Sequence, residues 1–258
     1  MPQLAHKVAL VTGSTSGIGR GIAEHFASLG ARVVIHGLES QAAANTVAQL
    51  RAAGYDADSI VANLEDADAC RRIVRFTVDR FGGIDILVNN AANTERGSVE
   101  DASVELWDRI MRVNLRAPFI CLQEAARVMK TRGGGSIVNI GSVNAYIGET
   151  KLGPYSVSKG GLMTLTRNAA SALGQYRIRV NQINVGWTLT EGEERVQKLE
   201  GQPADWIDRA VATRASGRLL LPRDIAAAVA YFASDDGALV NGTVMDLEQA
   251  PVGAPDRA

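Results

Sequence analysis

VALVTGSTSGIG, residues 8–19, runs from four consecutive apolar residues through a polar turn into a helical pattern and carries three glycines. Consecutive rather than alternating apolar residues predict a strand buried on both faces, the habit of a parallel sheet covered by helices. Glycines at a strand-to-helix turn allow unusual dihedrals and a close backbone approach. The free amides and dipole of the helix that follows suit a phosphate. Gly13, Ser16, Gly17, Ile18 and Gly19 are therefore candidate nucleotide contacts. The spacing is GxxxGxG, not the general GxGxxG fingerprint. Its place directly after the first strand of a β-α-β unit is what marks it as a phosphate turn.

Outward from this turn the same rhythm repeats. RVVIHG (32–37), SIVANL (59–64), IDILVNNA (84–91), SIVNIGS (136–142), RVNQINV (179–185) and GTVMDL (242–247) read as six further strands. Between them lie helical segments with apolar residues three and four apart, such as DACRRIVRFTVDRFG. Repeated β-α-β units predict an α/β fold, a single-domain, Rossmann-type, doubly wound seven-stranded parallel sheet flanked by helices. No linker or low-complexity block interrupts the chain, so one domain over 1–258 is expected. The polar stretch from about 187 to 215 has helical character and no strand, and reads as a lid over a binding site.

Bulk properties narrow the function classes. The 258 residues are 46% hydrophobic and 21% charged, which suits a compact domain with a sizeable core. A formal net charge of -1 supplies no basic field for nucleic acid or an anionic membrane. No apolar run approaches the roughly 20 residues of a membrane span. Cys70 and Cys121 sit in apolar helical patterns, read as buried thiols and fit a reducing compartment. With no secretory signal at the start, a cytoplasmic location is expected. His6, His25 and His36 offer no metal-ligand spacing, and no metal is expected.

PYSVSKGG, residues 154–161, places Tyr155 and Lys159 one helical turn apart. A cation there favours the ionised phenol, whose ordinary pKa is roughly 10, and makes it a usable proton acceptor. TGSTSGIG, NNAA (89–92), Asn114, Ser142 and this tyrosine–lysine pair together resemble the short-chain dehydrogenase/reductase family in its classical single-domain form. The match covers nearly the whole chain in order, and Ser142 precedes Tyr155 by 13 residues as the family pattern requires. The resemblance implies a nicotinamide cofactor and hydride transfer to or from a carbonyl carbon. It implies Tyr155 as proton acceptor or donor, Ser142 as the group that bonds the substrate oxygen, and Lys159 as depressor of the phenol's pKa and partner of the nicotinamide ribose. Asn114 resembles the fourth catalytic member, which anchors a water linked to the lysine.

The resemblance also sets the cofactor expectations. An acidic residue at the end of the second strand usually marks NAD, and an arginine one place later or a basic residue before the second glycine marks NADP. Gly37, Leu38 and Ser16 stand at those places, and neither signal is present. Glu39 lies near the expected acidic position and would repel a 2′-phosphate, so NAD is expected, with NADP as the alternative. Asn63 and Leu64 are expected beside the adenine, Asn89 and Ala91 facing the cofactor, and Gly186 and Thr188 near the carboxamide. Three departures stand out. NNAG reads NNAA, with Ala92. Pro-Gly after the sixth strand reads Val185-Gly186. The VDGG-like C-terminal turn reads LEQA (247–250). Family habit implies a homo-oligomer, with a tetramer favoured.

The stretches expected to face a small-molecule substrate carry many hydrogen-bonding and charged groups and few large aliphatics. Asn93, Arg96, Ser142, Asn144, Tyr155 and Trp187 are the candidate substrate contacts. Trp187 or Trp206 would stack on a pyranose face, and Arg96 or Arg209 would meet an anionic substituent. A steroid or long acyl chain would want a wide apolar pocket instead. The expectation is an NAD-dependent dehydrogenase of a sugar or sugar derivative giving a lactone or ketone. Two alternatives stand beside it: an NADPH-dependent 3-oxoacyl-thioester reductase, and a non-catalytic dinucleotide-binding sensor.

Overall fold

Seven parallel strands form the frame of the computed structural model, which describes residues 3–250 and Val252. The ends of the expected 1–258 domain, residues 1, 2, 251 and 253–258, lie outside the described residues. The strands are β1 (Val8–Val11), β2 (Arg32–Gly37), β3 (Ala57–Val61), β4 (Ile86–Asn89), β5 (Gly135–Ser142), β6 (Ile178–Val185) and β7 (Val244–Leu247). Their order across the sheet is β3-β2-β1-β4-β5-β6-β7. β1 pairs with β2 through Leu10 and Val34, and with β4 through Leu10 and Leu87. The order therefore reverses direction between β1 and β4, and the carboxyl ends of these two strands open the crevice where ligands bind in such sheets.

Helices close both faces. On one side α1 (Gly17–Ser28), α2 (Ser40–Ala52) and α9 (Pro222–Ala233) pack Ile22, Phe26, Val47, Val229 and Phe232 against the sheet. On the other, α3 (Ala67–Phe81), α5 (Ala117–Thr131) and α6 (Gly153–Leu173) bring Ile73, Val74, Met129 and Leu173. Cys70 on α3 and Cys121 on α5 are free buried thiols in this second layer. α4 (Val104–Met111) runs into α5 through a π-helical turn, Arg112–Arg116, that carries Asn114. The polar stretch forms two short helices, α7 (Glu191–Leu199) and α8 (Trp206–Ala212). Among the described residues no helix is long and apolar enough to cross a membrane.

β4 and β7 are shorter than the expected 84–91 and 242–247, and β3 is shifted. β3 occupies 57–61, not 59–64, because its partner β2 ends at Gly37, which pairs with Val61. Residues 62–64 have no strand to pair with, and they leave the sheet as a loop at its carboxyl edge.

A chain of buried polar side chains crosses the sheet. Asn89 Nδ2 donates to Asn139 Oδ1 at 2.8 Å, and Asn139 Nδ2 donates to Thr166 Oγ1 at 2.8 Å. Thr166 Oγ1 lies 3.0 Å from Gln182 Oε1, and Gln182 Nε2 donates to Asn184 Oδ1 at 2.7 Å. All five residues are buried. Such a network stabilises only while every member is satisfied. Thr166→Val keeps the shape and removes the hydroxyl, so it is expected to cost about 1–3 kcal/mol, read as a lower midpoint in urea unfolding. An unchanged midpoint would show that the chain is dispensable.

Candidate active site

The carboxyl ends of the strands enclose one cleft of about 1220 Å³. This exceeds an ordinary ligand pocket of about 300–1,000 Å³ and suits a dinucleotide with a second small molecule beside it. Its floor is the turn after β1. Gly13 has φ +63° and Gly17 φ +54°, left-handed conformations open to glycine. A methyl added at Gly19 would overlap the Gly13 carbonyl and the Asn90 amide. Ser16 enters α1 with extended backbone and does not cap it with its own hydroxyl. The first amides of α1 thus keep their donor capacity, and Ser16, Gly17 and Ile18 all line the cleft. That free helix start and the methyl-free cradle around it fit a dinucleotide phosphate.

His36, at the end of β2, braces this turn. Its Nδ1 accepts the Gly13 N–H at 3.1 Å, which leaves Nε2 to carry the proton and donate to the Ala62 carbonyl at 3.0 Å. Burial holds the imidazole below its ordinary pKa. The sequence reading weighed the histidines only as metal ligands and missed this role. A strand-end histidine opposite a glycine turn was the available signal.

Most expected contacts converge on the cleft. Leu38, Asn63, Leu64, Ala91, Gly186 and Thr188 all line it. Asn89 does not line it: register with Asn139 turns its amide into the polar chain inside the sheet. The cleft-lining residue is its neighbour Asn90, whose Nδ2 donates to the Thr12 and Gly13 carbonyls at 2.9 and 3.1 Å.

Ser142, Tyr155 and Lys159 meet at the inner end of the cleft. Ser142 ends β5, and its Oγ accepts the Asn144 N–H at 3.2 Å. Pro154 stands in the first turn of α6, and the helix presents Tyr155 and Lys159 one turn apart. Lys159 is buried, donates to the Ile140 carbonyl at 2.7 Å, and sits 5.5 Å from the Tyr155 ring centroid. Burial lowers its amine to about 8.

The Tyr155 phenol is pushed above its ordinary value by burial and by the Glu193 carboxylate, and pulled down by the Ser142 hydroxyl and Arg96. Lys159 stands beside the ring, with its hydrogen bond given to the Ile140 carbonyl and none to the phenol. The ammonium is directed at Ile140 and is itself destabilised by burial, while a hydroxyl and an arginine lower the phenol.

Asn114 lies one layer behind. Its Oδ1 accepts the Asn93 N–H at 2.7 Å, and its Nδ2 donates to the Asn93 carbonyl at 2.9 Å and to Ser158 Oγ at 3.1 Å. The side chain clamps the loop after β4 to α6, next to Lys159. A π-turn interrupts regular helical pairing and is frequent at functional sites.

Asn93, Arg96, Asn144 and Trp187 also line the cleft. Arg96 is held by Glu200 at 2.9 Å. Trp206 and Arg209 are not among the cleft's lining residues. Trp206 packs on Trp187 with centroids 5.9 Å apart, and Arg209 pairs along its own helix with Asp205. Arg214 lines the cleft instead, 3.6 Å from Glu248 and over the Trp187 ring. Glu193, Gln197 and Glu248 complete the polar wall and were also missed, because their placement depends on the path of a long connection.

Comparison with known proteins agrees with this geometry. A family model described as "Enoyl-(Acyl carrier protein) reductase" matches residues 13–248. The chain is 37% identical to dehydrogenase/reductase SDR family member 4 of Sus scrofa, over 93% of this chain and 85% of that one. It superposes on a structure from Agrobacterium tumefaciens, described provisionally as a gluconate dehydrogenase, with a TM-score of 0.90 and 30% identity over 98% of both chains. It superposes on a variant of actinorhodin polyketide ketoreductase with NADPH at a TM-score of 0.91 and 30% identity, covering 96% of this chain and 98% of that one. The chain belongs to the short-chain dehydrogenase/reductase family and is an NAD(P)-dependent oxidoreductase.

His36 gives the turn a pH dependence. Folding holds the imidazole neutral, so the unfolded chain takes the extra proton first. The stability is full above the ordinary value of about 6.5 and drains as pH falls toward the lowered folded value. Melting temperature is expected to drop across this acid window, and His36→Gln is expected to flatten that part of the curve. A parallel curve for the variant would remove the brace.

Proposed function

We propose that the protein is an NAD-dependent dehydrogenase that oxidises a secondary carbinol or hemiacetal of a sugar or sugar derivative to a ketone or lactone. The observation that carries this reading is the polar wall around Tyr155, where Asn144, Arg96, Glu193 and Gln197 offer donors and acceptors of both signs. Such a wall suits hydroxyls. Similarity to a protein described as a gluconate dehydrogenase supports the same class. By extension from the family, the reading takes the protein as a cytoplasmic homotetramer.

NAD is favoured by charge. Glu39 and Glu65 line the adenosine half beside Thr15, Ser16 and Leu38, and the cationic residues lining the cleft, Arg96, Lys151, Lys159 and Arg214, belong to its other half. Thr15 fills the space that a side chain at position 37 would need. A 2′-phosphate there would meet carboxylates rather than a guanidinium.

In the reaction, Tyr155 Oη takes the carbinol proton as the C–H hydride leaves, and returns it in the reverse direction. The bound nicotinamide supplies the hydride acceptor. Ser142 Oγ bonds the substrate oxygen and, with Arg96, stabilises charge on the phenol. Lys159, fixed by Ile140 O, keeps a cation beside the ring. Asn114 is a positioning residue that fixes the Asn93 loop against α6.

Tyr155→Phe is expected to lower kcat by about 10²–10⁴ while the dissociation constant for NADH is unchanged, measured by nucleotide fluorescence; substantial residual turnover would sink the assignment. Absorbance at the nicotinamide band, with NAD and NADP against aldoses, aldonates, polyols and an acetoacetyl thioester, should show NAD-linked oxidation of a hydroxylated substrate. Leu38→Arg should shift preference toward NADP. Similarity to the polyketide ketoreductase favours a second reading, a 3-oxoacyl-thioester reductase. NADPH-linked thioester reduction without sugar oxidation would select it.

A further inference from the structure

Glu193 poses an electrostatic question. It stands in the first turn of α7, where Thr190 Oγ1 accepts its N–H at 3.1 Å and fixes the turn over the cleft. Its Oε1 accepts two hydrogen bonds, from Trp187 Nε1 at 2.8 Å and from Gln197 Nε2 at 2.7 Å. Its Oε2 receives no side-chain donor among the described residues. Both partners line the cleft with it. The carboxylate also acts on Tyr155, raising the phenol against the pull of Ser142 and Arg96.

A negative charge beside a phenol that must give and take a proton works against catalysis. Bracing Trp187 and Gln197 does not require that charge, since an amide oxygen accepts the same two bonds. What a carboxylate adds is a second acceptor-only oxygen and stronger, charge-assisted bonds to hydroxyl donors. A site selecting a hydroxylated substrate uses both properties. A site built to hydrogen-bond a substrate hydroxyl discriminates against an analogue that lacks it.

We propose that Glu193 is a specificity-determining residue whose Oε2 accepts a hydrogen bond from a second substrate hydroxyl, near the one held by Ser142 and Tyr155. The substrate class is then a vicinal diol or polyol rather than a lone carbinol or a 3-oxoacyl chain. The inference rests on the carbinol-oxidising function proposed above.

The test compares trans-1,2-cyclohexanediol with cyclohexanol as oxidisable probes, in the wild type, Glu193→Gln and Trp206→Leu. The wild type should prefer the diol. Glu193→Gln keeps Oε1 for the brace and puts an N–H donor at the other position. It should lower the diol-to-cyclohexanol ratio of kcat/KM about 10- to 100-fold. Trp206→Leu loosens the brace from outside the cleft, by removing the ring stacked on Trp187, and should leave that ratio near the wild-type value. The groups facing the phenol are Ser142, Lys159, Arg96 and Glu193. Removing the carboxylate's charge should therefore move the rising alkaline limb of oxidation to lower pH. An equal loss on both probes in Glu193→Gln, or a ratio that falls as far in Trp206→Leu, would reduce Glu193 to a brace and overturn the proposal. A wild type that oxidises neither probe would overturn the carbinol reading beneath it.

Discussion

The lock between the carboxyl ends of β1 and β4 is the constraint on which the cleft depends. Thr12 Oγ1 accepts the Asn90 and Ala91 N–H groups, each at 3.0 Å, and lies 3.3 Å from the Val88 carbonyl. Asn90 returns its amide to Thr12 and Gly13, and His36 takes the remaining Gly13 N–H from β2. Three strands thus consume the polar groups of the turn up to Gly13. The amides from Ser16 onward stay outside this lock, at the start of α1, where a phosphate can use them. A turn that satisfied its own helix start would be more stable alone and useless as an anion cradle.

Beyond the lock, the cleft is organised by paired charges. Arg96 faces Glu200, Arg214 faces Glu248, and Glu193 is held by an indole and an amide. Each partly desolvated charge has a partner close by, as burial demands. Arg96 lowers the Tyr155 phenol and Glu193 raises it, so its proton affinity is a balance of opposite fields on top of burial. A substrate that engages either charge shifts this balance while it binds. In the proposed reaction the same few side chains would carry both recognition and proton transfer.

The sequence made the frame legible because strand burial and helix periodicity are local. Val8–Val11, Arg32–Gly37 and Ile178–Val185 lie close to their apolar runs, and the glycine turn, Ser142, Tyr155 and Lys159 meet in one cleft. What failed depended on partners distant in the chain. β3 ends where β2 ends. Asn89 and Asn90 are indistinguishable in NNAA, and only pairing with Asn139 decides which one turns inward. Arg209 and Arg214 are equally plausible in a polar stretch until the turn between α8 and α9 brings Glu248 beside the second. His36 and Glu248 gain no notice from spacing, because their partners are residues 13 and 214, while the place of Glu193 depends on the path of the connection after β6.

Two departures from the family pattern explain each other. Val185 replaces a proline that would fix φ before Gly186, so the loop after β6 lacks that restraint. The LEQA ending places Glu248 directly beneath the same loop. Its Oε2 accepts the Trp187 N–H at 3.3 Å, and Gly186 leaves room for the carboxylate that any side chain there would overlap. Gly186 N–H also donates to the Leu247 carbonyl at 3.0 Å, and Arg214 draws the glutamate toward Trp187. A contact between the end of β7 and the loop thus replaces a stiff residue within it. The restraint that one proline supplies through its ring is here distributed over Gly186, Trp187, Arg214 and Glu248, and it binds the substrate wall to the last strand of the sheet.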